Sequence, residues 1–69
     1  MKTKKEVRVK TMFSGLNQIF VVPKGTRVVK VGNYYAVASI RDTIACGMNE
    51  HDAIHHFLFI PEQAVDKTN

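Results

Sequence analysis

Three clusters of turn-forming residues divide the first forty residues into four short segments, and this spacing constrains the fold most. The clusters are Ser14-Gly15-Leu16-Asn17, Pro23-Lys24-Gly25 and Gly32-Asn33. The second suits a type I turn with proline second and glycine fourth, and the third suits a two-residue hairpin turn with positive φ angles. The segments between them are rich in β-branched and aromatic residues, so four antiparallel strands are predicted to follow one another as a meander.

The first two segments differ in the spacing of their apolar residues. Between residues 5 and 13, apolar or β-branched residues alternate with charged ones, which predicts a strand with one buried face. That face would hold Val7, Val9, Thr11 and Phe13. Residues 19–22 are apolar throughout, which predicts a central strand or one covered on both sides. The third and fourth strands are predicted over 27–31 and from residue 34 to about 40.

Residues 39–47 have two interpretations. Ser39 and Asp42 have the spacing of a helix capping box, and Gly47 is placed to end such a helix. Alternatively, residues 41–42 form a turn and residues 43–46 form a short strand. We prefer the strand because Thr43 and its neighbour are β-branched.

Residues 49–65 are also open to more than one interpretation. Asn49 and the acidic residues after it predict a helix start, with residues 53, 54, 57 and 58 on one apolar stripe. Residues 57–60 before Pro61 suit a final strand equally well. One helical turn is predicted over 61–65, with proline at its first position.

These elements predict an α+β, β-dominated fold in a single small domain. The 69 residues would form one domain over 1–69, with frayed ends at 1–4 and 66–69. The expected architecture is an antiparallel meander of four or five strands with one short C-terminal helix. An all-β barrel of the SH3-like or OB-like kind is the alternative if residues 55–60 form a strand.

The sequence predicts a cytoplasmic protein. No apolar run approaches the ~20 residues that span a bilayer, and no apolar segment of a signal peptide follows the charged N-terminus. Cys46 is the only cysteine, which indicates a reducing compartment and excludes a disulfide within the chain. We therefore expect no association with membranes.

The charge of the chain is distributed unevenly, and this points to the class of partner. The net charge is +4, but residues 1–30 carry eight basic residues against one acidic residue, whereas residues 31–69 have a net charge of −3. A basic end of this kind attracts an anionic partner, either nucleic acid or an acidic protein. The same asymmetry could also pair the chain with a second copy of itself.

Six residues are predicted to bind nucleic acid, without a preference between DNA and RNA. They are Arg8, Lys10, Lys24, Arg27, Tyr34 and Tyr35. The basic side chains would contact phosphates, which makes affinity depend on salt, and a solvent-facing tyrosine would stack on a base as in OB-type single-strand binders. The two tyrosines would lie on opposite faces of the sheet. The competing interpretation is a solvated surface that protects a sheet edge.

A metal site is a further hypothesis, and catalysis is not expected. On a helix, His51 and His55 would share one face at a spacing that suits zinc. The segment resembles a metalloprotease motif, but Asp52 replaces the glutamate that would act as the base. Cys46 lies in an apolar stretch and is interpreted as a small buried side chain.

The combined prediction is a small non-enzymatic accessory or regulatory protein that binds nucleic acid through a basic sheet face and needs no cofactor. One alternative is a protein-interaction or inhibitor module, which could form a homodimer through apolar surface around Phe20, Phe57 and Phe59. The other alternative is a histidine-based metal-binding domain.

Overall fold

The computed structural model describes residues 1–13 and 16–68, with side chains for all of these except 12, 13, 16 and 17. The fold is α+β and β-dominated, as predicted. The strands are β1 (Lys2–Thr3), β2 (Val7–Phe13), β3 (Leu16–Val22), β4 (Val28–Val31), β5 (Tyr34–Val37), β6 (Phe59–Ile60) and β7 (Val65–Asp66). The helices are α1 (Ile40–Ala45), α2 (Glu50–His55) and a 3₁₀ helix (Glu62–Ala64). The turn predicted at 14–17 centres on residues outside the described part of the chain.

The strands form three antiparallel sheets, so the predicted continuous meander is wrong. β1 pairs with β7, β2 pairs with β3, and β4, β5 and β6 pair in that order. The N-terminal segment explains the break between β3 and β4. Lys2 bridges Arg27, and the amide of Val28 donates to the carbonyl of Met1, so the N-terminus occupies the edge at which β4 begins. Across the described residues, these sheets also differ from the single barrel considered as the alternative.

Thr3 fastens the turn between β3 and β4 to the N-terminus. Its side chain is 1% exposed, and its hydroxyl donates to the carbonyl of Pro23 and accepts from the amide of Thr26. The turn has Pro23 first and Gly25 third, where the φ of +86° is the one a type II turn requires. The predicted type I assignment is therefore wrong. Parts of both ends predicted to fray are also paired, since β1 lies against β7.

Helix α1 occupies residues 40–45, so the preferred strand over 43–46 is wrong. The Ser39 hydroxyl accepts from the amide of Asp42, which caps α1 at its start. Gly47, with φ of +116°, and Met48 donate back to the carbonyls of Ile44 and Thr43 and close the helix. These local hydrogen bonds outweigh the weak strand preference of β-branched residues. They also explain why β5 ends at residue 37.

Helix α2 begins as predicted but ends earlier than the apolar stripe suggested. The Asn49 side chain accepts from the amide of Asp52, and the helix stops at His55. The segment after it supplies β6, so Phe57 and Leu58 do not continue the helix. In the described residues, no helix is long and apolar enough to cross a bilayer.

The core lies between the β2–β3 sheet and the β4–β5–β6 sheet, each of which turns one face inward. The inner residues of the two sheets are Val7, Phe20 and Val22, together with Val28, Tyr35, Val37 and Ile60. Residues from the helices and the C-terminal segment close the core: Cys46, Met48, Ala53, Leu58, Ala64 and Val65. Strand β3 is therefore covered on one side only, and the prediction that residues 19–22 are central or doubly covered is wrong.

Candidate nucleic-acid interface

The outer face of the β2–β3 hairpin combines cationic and aliphatic side chains. In the strand register Arg8 lies opposite Val21, and Lys10 lies opposite Ile19. All four side chains are exposed, and Ile19 and Val21 keep 66% and 40% of their surface in contact with solvent. We call this surface, formed by Arg8, Lys10, Ile19 and Val21, the ribbon face. Its cations follow β2, and its aliphatic groups follow β3.

The two cations of the ribbon face form no ion pair with the described residues. Among the described residues, the ion pair that forms joins Lys67 to Glu62, with 2.5 Å between Nζ and Oε1. That hydrogen bond lowers the pKa of Glu62 and raises the pKa of Lys67. Arg8 and Lys10 have no such partner in the described part of the chain. Their charge is therefore available to an anion from outside the chain.

The other two predicted basic residues lie apart from the ribbon face. Lys24 is exposed in the turn after β3. Arg27 precedes β4 and is exposed, and its side chain lies on the same outer face of the strand as Val29, opposite to the buried Val28. The structure thus brings Arg8 and Lys10 together on one surface but does not add Lys24 and Arg27 to it.

The two predicted tyrosines are separated by the sheet. Tyr35 points into the core and is 8% exposed, which leaves little of its ring available for stacking. Tyr34 is 67% exposed, and its ring meets that of Phe59 edge to face, with 5.8 Å between centroids. Phe57 lies 6.0 Å from Phe59 in turn. We call the surface formed by Tyr34, Phe57 and Phe59 the aromatic face.

The ribbon face and the aromatic face belong to different parts of the fold. The ribbon face lies on the β2–β3 sheet, whereas Tyr34 and Phe59 lie on the sheet of β4, β5 and β6. Both sheets contribute their inner residues to one core. The predicted combination of basic side chains with a stacking tyrosine in one site stays a prediction.

The predicted metal ligands share one helix face. His51 and His55 are exposed on α2, and their ring centroids are 4.9 Å apart. Zinc sites use three or four protein ligands. In residues 1–13 and 16–68, no group of three or more histidine, cysteine or acidic residues could hold a metal. The histidine pair therefore supplies two ligands of a site that needs more.

A groove of about 280 Å³ lies between the two helices and the end of β5. Ile40, Ile54 and Phe57 supply apolar walls, and His55 and His56 line it as well. Cys46 lies outside this lining and is buried. Burial, followed by the nearby Asp42 carboxylate, raises the pKa of the Cys46 thiol, so it is a weak nucleophile at neutral pH.

Comparison with known protein families, with curated proteins and with solved structures finds no match to this chain. Sequence reasoning missed Ile19 and Val21, which are exposed like the cations beside them. The available signal was the apolar run of residues 19–22 in β3, which pairs with β2, a strand with one charged face. When two such strands pair, the apolar side chains of β3 on the charged side are left exposed to solvent.

Proposed function

We propose that the protein is a small non-enzymatic accessory or regulatory protein that binds nucleic acid through the ribbon face in the cytoplasm. The observation that carries this proposal is a strand with two exposed cations, Arg8 and Lys10, beside two exposed aliphatic side chains. Neither cation forms an ion pair with the residues that the structure describes. Basic side chains on one surface are the electrostatic basis of phosphate binding. The net charge of +7 over residues 1–30 would attract the polyanion from a distance.

The charge of the ribbon face also argues against self-association at this surface. Two copies packed through it by a twofold axis would bring two Arg8 and two Lys10 side chains together. Burying four like charges is unfavourable unless anions accompany them. An anionic partner removes this penalty and covers Ile19 and Val21 at the same time.

The test removes the two charges and measures DNA binding against salt by fluorescence anisotropy. For Arg8→Gln/Lys10→Gln, we expect the slope of log affinity against log salt to fall by about 2 units, because two phosphate contacts are lost. Affinity at 0.1 M salt should fall roughly 50-fold. The matched control is Lys30→Gln/Arg41→Gln, which removes two exposed charges outside the ribbon face.

Two results would overturn the proposal. One is the absence of binding by the wild-type protein at low salt. The other is an equal loss of affinity in the control variant, which would make the effect one of net charge. Thermal melts of each variant establish that the fold is retained.

A second candidate function, self-association, is favoured by the aromatic face. Its three rings form a chain of contacts, and each side chain is at least 44% exposed. Exposed Ile54 and Ile40 extend it along the groove that Phe57 lines. None of these five side chains is charged, and an apolar surface of this extent commonly marks an interface. Phe20, predicted as part of this surface, is buried in the core and cannot contribute.

We propose that this face binds a second copy of the chain. Sedimentation velocity should show a dimer fraction that grows with concentration, and the melting temperature should rise with it. Tyr34→Thr/Phe57→Thr should remain monomeric over the same range. A wild-type melting temperature that is independent of concentration, with a single monomer boundary, would refute the dimer.

A further inference from the structure

We propose that the ribbon face binds double-stranded DNA by entering the major groove, with Ile19 and Val21 against the methyl groups of thymine. This inference rests on the proposed nucleic-acid function and names its ligand. It follows from the position of the aromatic residues, from the shape of the hairpin and from the pairing of cations with aliphatic groups.

The position of the aromatic residues argues against single strands. Proteins that bind single strands stack successive bases on aromatic side chains within a basic groove. Here Arg8 and Lys10 lie on the β2–β3 sheet, whereas the exposed rings of Tyr34 and Phe59 lie on the other sheet. The ribbon face offers cations and aliphatic groups, which suit a ligand whose bases are already stacked on one another.

The shape of the hairpin fits the major groove of B-form DNA. That groove is about 12 Å wide and admits a two-stranded β-ribbon. β2 and β3 pair only with each other within the described residues, and each is seven residues long, or about 24 Å. The described side chains that join the core come from the base of the hairpin, namely Val7, Val9, Phe20 and Val22.

The two rows of the ribbon face match the two surfaces of that groove. In this arrangement Arg8 and Lys10 on β2 contact one phosphate backbone. Because Val21 and Ile19 lie opposite them on β3, these two side chains then lie over the base edges. The thymine methyl group is the apolar feature of the major groove and is read by apolar contact. The A-form groove of double-stranded RNA is too deep and narrow for side chains to read. These features select DNA over RNA.

The experiment compares four fluorescent probes of one mixed sequence in anisotropy titrations. The probes are duplex DNA, the same duplex with deoxyuridine in place of thymidine, duplex RNA and single-stranded DNA. We expect at least tenfold tighter binding to duplex DNA than to the RNA duplex or the single strand. Each thymine methyl that is contacted contributes about three- to fourfold, so the deoxyuridine duplex should bind more weakly by at least that factor.

The variant Ile19→Ala/Val21→Ala separates this inference from the proposed function. It should keep the salt slope of the wild type, since Arg8 and Lys10 remain, but it should bind the thymidine and deoxyuridine duplexes equally. The control Ile44→Ala, which removes an aliphatic group on α1 that is as exposed as Val21, should retain the preference for thymidine.

The possible failures are distinguishable. Salt-dependent binding without preference among the four probes, tighter binding to the single strand, or a thymidine preference that survives in Ile19→Ala/Val21→Ala would overturn the groove assignment and leave the proposed function in place. Failure to bind any probe at low salt would overturn both.

Discussion

The ribbon face and the aromatic face are built by the same strand alternation, yet they suit different partners. Both leave apolar side chains exposed: Ile19 and Val21 on one, and Tyr34, Phe57 and Phe59 on the other. The difference lies in the residues across the strand. Ile19 stands opposite Lys10, whereas Phe59 stands opposite Ala36. The neighbouring charge, more than the exposed apolar area, is the basis on which we propose a second copy of the chain as the partner of the aromatic face only.

The largest effects are expected when the variants of both faces are each tested for DNA binding and for dimer formation. Arg8→Gln/Lys10→Gln should bind duplex DNA roughly 50-fold more weakly at 0.1 M salt but dimerise as the wild type does. Tyr34→Thr/Phe57→Thr should lose the dimer and keep its intrinsic affinity for DNA per chain. The two sets of residues lie on different structural elements, and the effects of independent sites add, so their effects should be additive in the fourfold variant.

A ribbon variant that also dissociates the dimer, or an aromatic variant that also loses DNA, would break the comparison. The faces would then form one functional surface. Titrations at protein concentrations far below and far above the dimer midpoint separate a direct effect on binding from an effect of valency.

A smaller effect is expected from Thr3, which fastens the turn between β3 and β4 to the N-terminus. Thr3→Val preserves shape but removes the hydrogen bonds to Pro23 and Thr26, and it should lower the free energy of unfolding by about 1–3 kcal/mol. The control is Thr26→Val, which loses an exposed hydrogen bond to the same carbonyl and should cost less. Urea denaturation measures both. Equal losses in the two variants would show that burial of Thr3 contributes nothing.

The smallest effect is expected at Cys46, which lies in the core between the faces. Burial raises the pKa of its thiol, so the reactive thiolate is scarcer at pH 8 than for an exposed cysteine. Alkylation should therefore be slow and should accelerate as the pH approaches the raised pKa. Its rate in the folded protein should be unchanged by saturating duplex DNA. A change on DNA binding would reveal coupling through the core.

Local signals in the sequence predicted much of the fold. The hairpin at Gly32-Asn33 is confirmed by the pairing of Val31 with Tyr34, and the helix start at Asn49 is confirmed by its side-chain cap. Both depend on residues within a few positions of each other. The sequence also allows the helix after Ser39. Hydrogen bonds at Gly47 stabilise the end of this helix, and residue propensities do not take such bonds into account.

The pairing of distant segments could not be predicted in the same way. No local signal near β4 predicts that the N-terminal segment pairs with the beginning of this strand. This pairing places the two hairpins in different sheets. For the candidate site, alternation placed Arg8 and Lys10 together and set Tyr34 apart from Tyr35. It did not show which tyrosine faces the core, nor that Ile19 and Val21 would lack cover from their own chain.

The pairing of β1 with β7 has a consequence for the order in which the chain folds. β2 with β3, β4 with β5, and both helices form from residues close in sequence, but Thr3 and Val65 are more than sixty residues apart. Closing so long a loop is entropically costly, so this contact should form after the folding barrier has been crossed. In stopped-flow measurements Val65→Ala, which truncates a buried side chain of β7, should accelerate unfolding and leave the folding rate nearly unchanged. A slowed folding rate would place the joining of the two ends in the nucleus.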